Sequence, residues 1–100
     1  MKLVVEKSQY EAIYRILITS NADNLAEQRN LNEVLELMEA AGKPIGDENP
    51  GLPRMFSIKD KAELEVSAMN AQTLKQHIDK GINRFQAWSV RSLADLMDQL

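Results

Sequence analysis

Cysteine is absent from this chain, and that removes three chemistries at once: a disulfide framework, a thiolate nucleophile and any sulfur-ligated metal site. The absence also fits a reducing, cytoplasmic compartment. Histidine occurs once, as His77, so no histidine cluster exists to hold a metal or to run a relay. The aromatics are few (Tyr10, Tyr14, Phe56, Phe85 and Trp88). The core must therefore come mainly from Leu, Ile, Val, Met and Ala, which pack adaptably between helices. No apolar run reaches the roughly 20 residues that span a bilayer. The opening Met-Lys-Leu-Val-Val-Glu also meets a charge too soon for the apolar part of a signal peptide. Neither a membrane partner nor export is expected.

What is present is ordinary for a folded domain. Apolar residues make up 44% and charged residues 27% of 100 residues, which is far from the composition of disordered chains and fits a single domain over 1–100. The net charge of −3 is unevenly spread, with five basic and nine acidic side chains in residues 1–50 against seven and six in 51–100. A general grip on phosphates needs a basic surface, so bulk charge does not favour nucleic acid.

Hydrophobic spacing predicts a mostly α (α+β) fold of about four helices with one or two short strands. Leu3 and Val5 alternate in a short strand over 2–6. Ser8 and Glu11 have capping-box spacing ahead of Ile13, Ile16 and Leu17, giving a first helix over 8–19. Asp23 or Asn24 caps a second helix over 24–41, whose buried stripe is Leu25, Leu31, Val34, Leu35 and Met38, and Gly42 with Pro44 stops it. Residues 43–54 hold Pro44, Gly46, Pro50, Gly51 and Pro53, which predicts a loop without regular structure. Met55–Ile58 and Glu63–Val66 alternate and are expected to pair as a hairpin. A third helix is expected over 70–80, capped by Asn70 and stopped by Gly81. A fourth over 84–99 buries Phe85, Trp88, Val90, Leu93, Leu96 and Met97.

The halves 1–42 and 62–100 read as two strand–helix–helix repeats joined by the segment 43–61. Leu3 and Val5 ahead of Ile13 and Leu17 correspond to Leu64 and Val66 ahead of Leu74 and Ile78, at a constant offset of 61 positions. Amphipathic helix pairs share such patterns in general, so the repeat is an expectation that only a structure can weigh.

Catalytic groups are scarce. His77 lies between Leu74 and Ile78 with no Ser or Cys partner evident, and is expected at the boundary of the core. Asp47-Glu48-Asn49 lacks the register of a calcium loop, and Gly42-Lys43-Pro44-Ile45-Gly46 lacks phosphate-loop spacing. No cofactor, no metal and no enzymatic activity are expected. Glu33, Glu36 and Glu39 recur every three residues along one polar face of the second helix. Together with Asp47 and Glu48 they are the candidate surface for a protein partner. Leu74–Val90 has the layout of a helix-turn-helix, in which Arg84, Gln86, Ser89 and Arg91 would read DNA. A third reading is a homo-oligomer with Phe85, Trp88 or Leu37 at the subunit contact, since Leu37 lies off the main stripe of its helix.

The run Leu3-Val4-Val5-Glu6-Lys7-Ser8, a Leu-x-Val strand entering a Ser-capped helix, resembles the openings of small acidic, cysteine-free accessory proteins of bacteriophages and prophages. Glu63-Leu64-Glu65-Val66 resembles them in the same way. The resemblance covers these two short stretches and implies a protein that binds and inhibits or redirects a host or defence component. It assigns no site residue.

Overall fold

In the computed structural model the described residues are 1–45, 55–82 and 93–100. The chain is mostly helical with two small two-stranded sheets, a mostly α (α+β) fold. In order the elements are β1 (Lys2–Glu6), α1 (Lys7–Ile18), α2 (Leu25–Ala41), β2 (Lys43–Ile45), β3 (Met55–Ser57), β4 (Lys61–Glu65) and α3 (Ala68–Ile82). The described part of a fourth helix, α4, covers 93–97.

β1 pairs antiparallel with β4, placing Leu3 opposite Leu64 and Val5 opposite Ala62. Side chains alternate across a strand, so Leu3, Val5 and Leu64 enter the core while Lys2, Val4, Glu63 and Glu65 face outward. The outward pairs Lys2–Glu65 and Glu6–Lys61 set opposite charges against each other. The far edge of β1 is closed by Gln99, whose side-chain amide accepts from Val4 N at 3.2 Å and donates to Val4 O at 3.1 Å. A side chain thus takes the place of a third strand, which keeps an open edge from recruiting another chain.

The expected hairpin between Met55–Ile58 and Glu63–Val66 does not form. β4 pairs with β1, and β3 pairs instead with β2. Lys43–Ile45, expected as irregular loop, is that strand, with Pro44 opposite Phe56. Proline is tolerated at the edge of a two-stranded sheet because no ladder bond need be lost there. Residues 46–54, the rest of the expected loop, lie outside the described residues.

α1 starts one residue earlier than the Ser8 cap predicts. Its capping box joins Glu6 and Gln9: Glu6 N donates to Gln9 Oε1 at 2.9 Å, and the Glu6 side chain accepts from Gln9 N. Residues 8 and 11 match the spacing, but the strand end at Glu6 decides where the chain turns. α2 is capped by Asn24, which accepts from Glu27 N at 2.9 Å, and Gly42 ends it as expected. Leu25, expected in the buried stripe, is 86% exposed because the first residue of the helix projects beyond its neighbours.

α3 begins two residues before the expected start, with Ser67 Oγ rather than Asn70 accepting at the cap, from Asn70 N at 3.1 Å. It also runs through Gly81. A Cβ there would stand 2.8 Å from two Ile16 side-chain atoms, so this glycine allows α3 to press against α1 instead of stopping the helix.

Buried side chains form one cluster drawn from every described helix and from both strands of the β1–β4 pair. At the offset of 61, seven positions of β1–α1 and β4–α3 are buried in both, whereas Tyr14 is buried and the corresponding Lys75 is exposed. Leu3 and Leu64, Val5 and Val66, Gln9 and Asn70, Tyr10 and Ala71, Ile13 and Leu74, Ile16 and His77, and Leu17 and Ile78 are all buried. The helices also start 61 positions apart, at Lys7 and Ala68.

Candidate functional site

The three carboxylates singled out on α2 lie on its exposed face. The helix buries Leu31, Val34 and Met38, and positions 33, 36 and 39 fall between those rows. Glu39 stands in the last turn, which carries no basic residue, so its charge opposes the negative end of the helix dipole. A carboxylate so placed costs about 0.3–1 kcal/mol when exposed. Among the described residues no Lys or Arg pairs with Glu33, Glu36 or Glu39.

The three are not equivalent. Glu39 accepts a 3.1 Å hydrogen bond from Tyr14 Oη, whereas Glu33 and Glu36 hold no tertiary partner among the described residues. Burial and that carboxylate push Tyr14 up to a pKa of about 12. Tyr10, completely buried, donates to the Met38 carbonyl of the same helix, and burial followed by the Glu39 charge raises it likewise to about 12. The two rings lie parallel, 6.3 Å between centroids, and Tyr14 meets Phe56 at 5.6 Å. This column fixes the end of α2 against α1 and β3, and so sets the angle at which the acidic face is offered. Asp47 and Glu48, the other members of the expected surface, lie outside the described residues.

The helix-turn-helix residues Arg84, Gln86, Ser89 and Arg91 also lie outside the described residues. The expected corner at Gly81 is not a corner, since α3 continues to Ile82. Of the expected subunit-contact residues, Leu37 packs against the monomer core, because an off-stripe position on α2 still reaches the edge of the cluster. Phe85 and Trp88 are outside the described residues. His77 is 2% exposed, fully inside the core rather than at its boundary, since it takes the place that Ile16 holds in α1.

Sequence reasoning missed a second charged feature. A cleft of about 540 Å³ opens between the start of α1, the end of α2 and the β3–β4 turn, and Lys7, Lys43, Lys59 and Lys61 line it. Three local structures gather these lysines. Lys7 N donates to Asp60 O at 2.9 Å, which ties the turn carrying Lys59 and Lys61 to the first residue of α1. The β1–β4 register sets Lys61 beside Glu6. Lys43 follows Gly42, where a Cβ would run into Tyr10 Oη and stand 2.9 Å from Ser57 O, so only glycine lets the chain leave α2 this close to β3. Glu11, the one carboxylate among the described residues of the cleft wall, accepts a 2.6 Å bond from Ser57 Oγ. No periodicity links residues 7, 43, 59 and 61, so their assembly had no signal in the sequence.

Among the described residues no three His, Asp or Glu side chains converge as metal ligands would, and no helix is long and apolar enough to cross a membrane. No protein-family model, no curated protein and no solved structure matches this chain.

Proposed function

We propose that this protein is a non-catalytic binding domain, an inhibitor or adaptor that occludes a basic surface on a protein partner with the acidic face of α2. The observation that carries this reading is the exposed carboxylate row Glu33, Glu36 and Glu39, which has no Lys or Arg partner among the described residues and ends with Glu39 in the last turn, at the unfavourable end of the helix dipole. A solvated helix face gains nothing from negative charge at that end, and a positively charged partner would turn the cost into attraction. Burial of the sole histidine, which takes the usual proton-transfer group away from solvent, supports the non-catalytic part. The phage-like stretches around Leu3 and Leu64 add the expectation that the partner is a host or defence component. The lack of cysteine supports a cytoplasmic setting.

The test is affinity capture from a bacterial lysate with nuclease present, comparing the wild-type chain with Glu33→Lys/Glu36→Lys. These two positions avoid the Tyr14 bond that Glu39 supplies, so the variant should fold with an unchanged circular dichroism spectrum. A single stoichiometric protein recovered by the wild type and lost from the folded variant is the expected result. Equal recovery by both, or recovery that disappears with nuclease, would sink the proposal.

A further inference from the structure

The lysine cleft carries an inference separate from the acidic face. Lys7, Lys43, Lys59 and Lys61 are all exposed, and none of them pairs with a carboxylate among the described residues. Four like charges around one hollow repel each other unless something neutralises them. Among the described residues the only carboxylate in the wall, Glu11, is occupied by Ser57 Oγ. Among the described residues of the wall, four ammonium groups against one carboxylate leave an excess of three positive charges in a chain whose net charge is −3.

Other carboxylates stand close by without entering. Glu6 and Asp60 line an adjoining hollow that shares Lys7, Glu11 and Lys61, and the Glu6 side chain is engaged by the α1 cap. The cleft is also where the molecule departs from its own internal correspondence. At the offset of 61, Lys7 and Glu11 match Ala68 and Gln72, and the β2–β3 hairpin bearing Lys43 and Ser57 has no counterpart after α3 within the described residues. Fold alone therefore does not require Lys7 and Glu11, because the matching positions of β4–α3 carry Ala68 and Gln72.

We propose that this cleft binds a small ligand bearing a diphosphate group through the ammonium groups of Lys7, Lys43, Lys59 and Lys61. Lysine holds phosphate as a point charge on a flexible stem and needs no fixed fork geometry. Each phosphoryl group carries about 1.5 to 2 negative charges near neutral pH, so two of them balance the excess in the cleft and one does not. The volume of about 540 Å³ lies in the range of small-ligand sites. A diphosphate reaches such a site either as the inorganic ion or as part of a nucleotide, and the two sources share this recognition chemistry.

Calorimetric titration of the full chain with inorganic pyrophosphate, and separately with adenosine diphosphate, tests the proposal. Saturable one-to-one binding of pyrophosphate is expected, weakened roughly tenfold or more in Lys43→Gln/Lys59→Gln and unchanged in Lys75→Gln/Lys80→Gln on α3. Equal affinities would assign the site to the inorganic ion, and tighter adenosine diphosphate to a nucleotide, and either supports the cleft. Amine labelling of the wild-type chain gives a reading that needs no variant: pyrophosphate should shield Lys7, Lys43, Lys59 and Lys61 and leave Lys75 and Lys80 reactive. No saturable binding, equal loss in both double variants, or uniform shielding of all lysines overturns the proposal. So does a single-stranded oligonucleotide that binds the same lysines more tightly than either probe, which would make this a nucleic-acid surface.

Discussion

Leu3 faces Leu64 across the antiparallel β1–β4 pair, and the same two residues are equivalent positions of the matching strand–helix units, 61 apart in the chain. When facing residues are also equivalents, a local twofold axis between them relates the two strands. The helices that follow share two features: both bury a polar side chain at the third helical position, Gln9 and Asn70, and both are capped by residues 61 apart, Glu6 and Ser67.

The Leu3–Leu64 pair should therefore behave as one unit of packing. Leu3→Ala and Leu64→Ala should each cost about 2–5 kcal/mol of unfolding free energy, because both side chains are buried and leave a cavity. Since they face each other, the double variant should lose less than the sum, by about 0.5–3 kcal/mol in urea melts. Strict additivity would show that the two side chains do not share a cavity.

At Gly42 the limit is space rather than backbone conformation, as its φ of −110° is open to any residue. Gly42→Ala should destabilise the fold by about 1–3 kcal/mol through the collision with Tyr10 and Ser57. Tyr10→Phe should cost about 1–2 kcal/mol by leaving the Met38 carbonyl one donor short. Combined, the two changes should cost less than their sum, since removing Tyr10 Oη relieves the nearest collision. Chemical denaturation of the three variants measures this, and a cost at Gly42 independent of residue 10 would contradict it.

Alkaline pH should unfold the protein through its tyrosines. Tyr10 and Tyr14 are raised from 10.0 to about 12, first by burial. The folded state therefore holds their protons where the unfolded chain releases them. The resulting stabilisation is complete below pH 10 and is lost as pH rises towards 12. Ultraviolet absorbance of tyrosinate should appear together with loss of helical circular dichroism. The Tyr10→Phe/Tyr14→Phe variant, at a lower starting stability, should show a shallower decline over that window. Tyrosinate absorbance near pH 10 with the helices intact would refute the burial argument.

Much of the fold was legible because it depends on local rules. The stripe Leu31, Val34 and Met38, the Asn24 cap and the Gly42 stop place α2 from spacing alone, and Leu3 and Val5 identify β1 by alternation. The offset of 61 was readable as a pattern, and seven of its position pairs are buried in both segments. The acidic face was readable for the same reason, because helical period decides which side of α2 is wet.

What the tertiary structure decided is every question of pairing between distant segments. Alternation says that β4 is a strand but not that β1 rather than β3 lies beside it. That choice rests on matching Leu3 and Val5 to the buried face of β4, and on the end of α2 delivering Lys43–Ile45 to β3. Gly81 reads as a stop until Ile16 is known to press on it, and Ser8 reads as a cap until the strand end at Glu6 claims the role. The lysine cleft lies furthest from the sequence. Its four charges come from a helix start, a helix exit and a turn, and only the packing of those three elements brings the charges together.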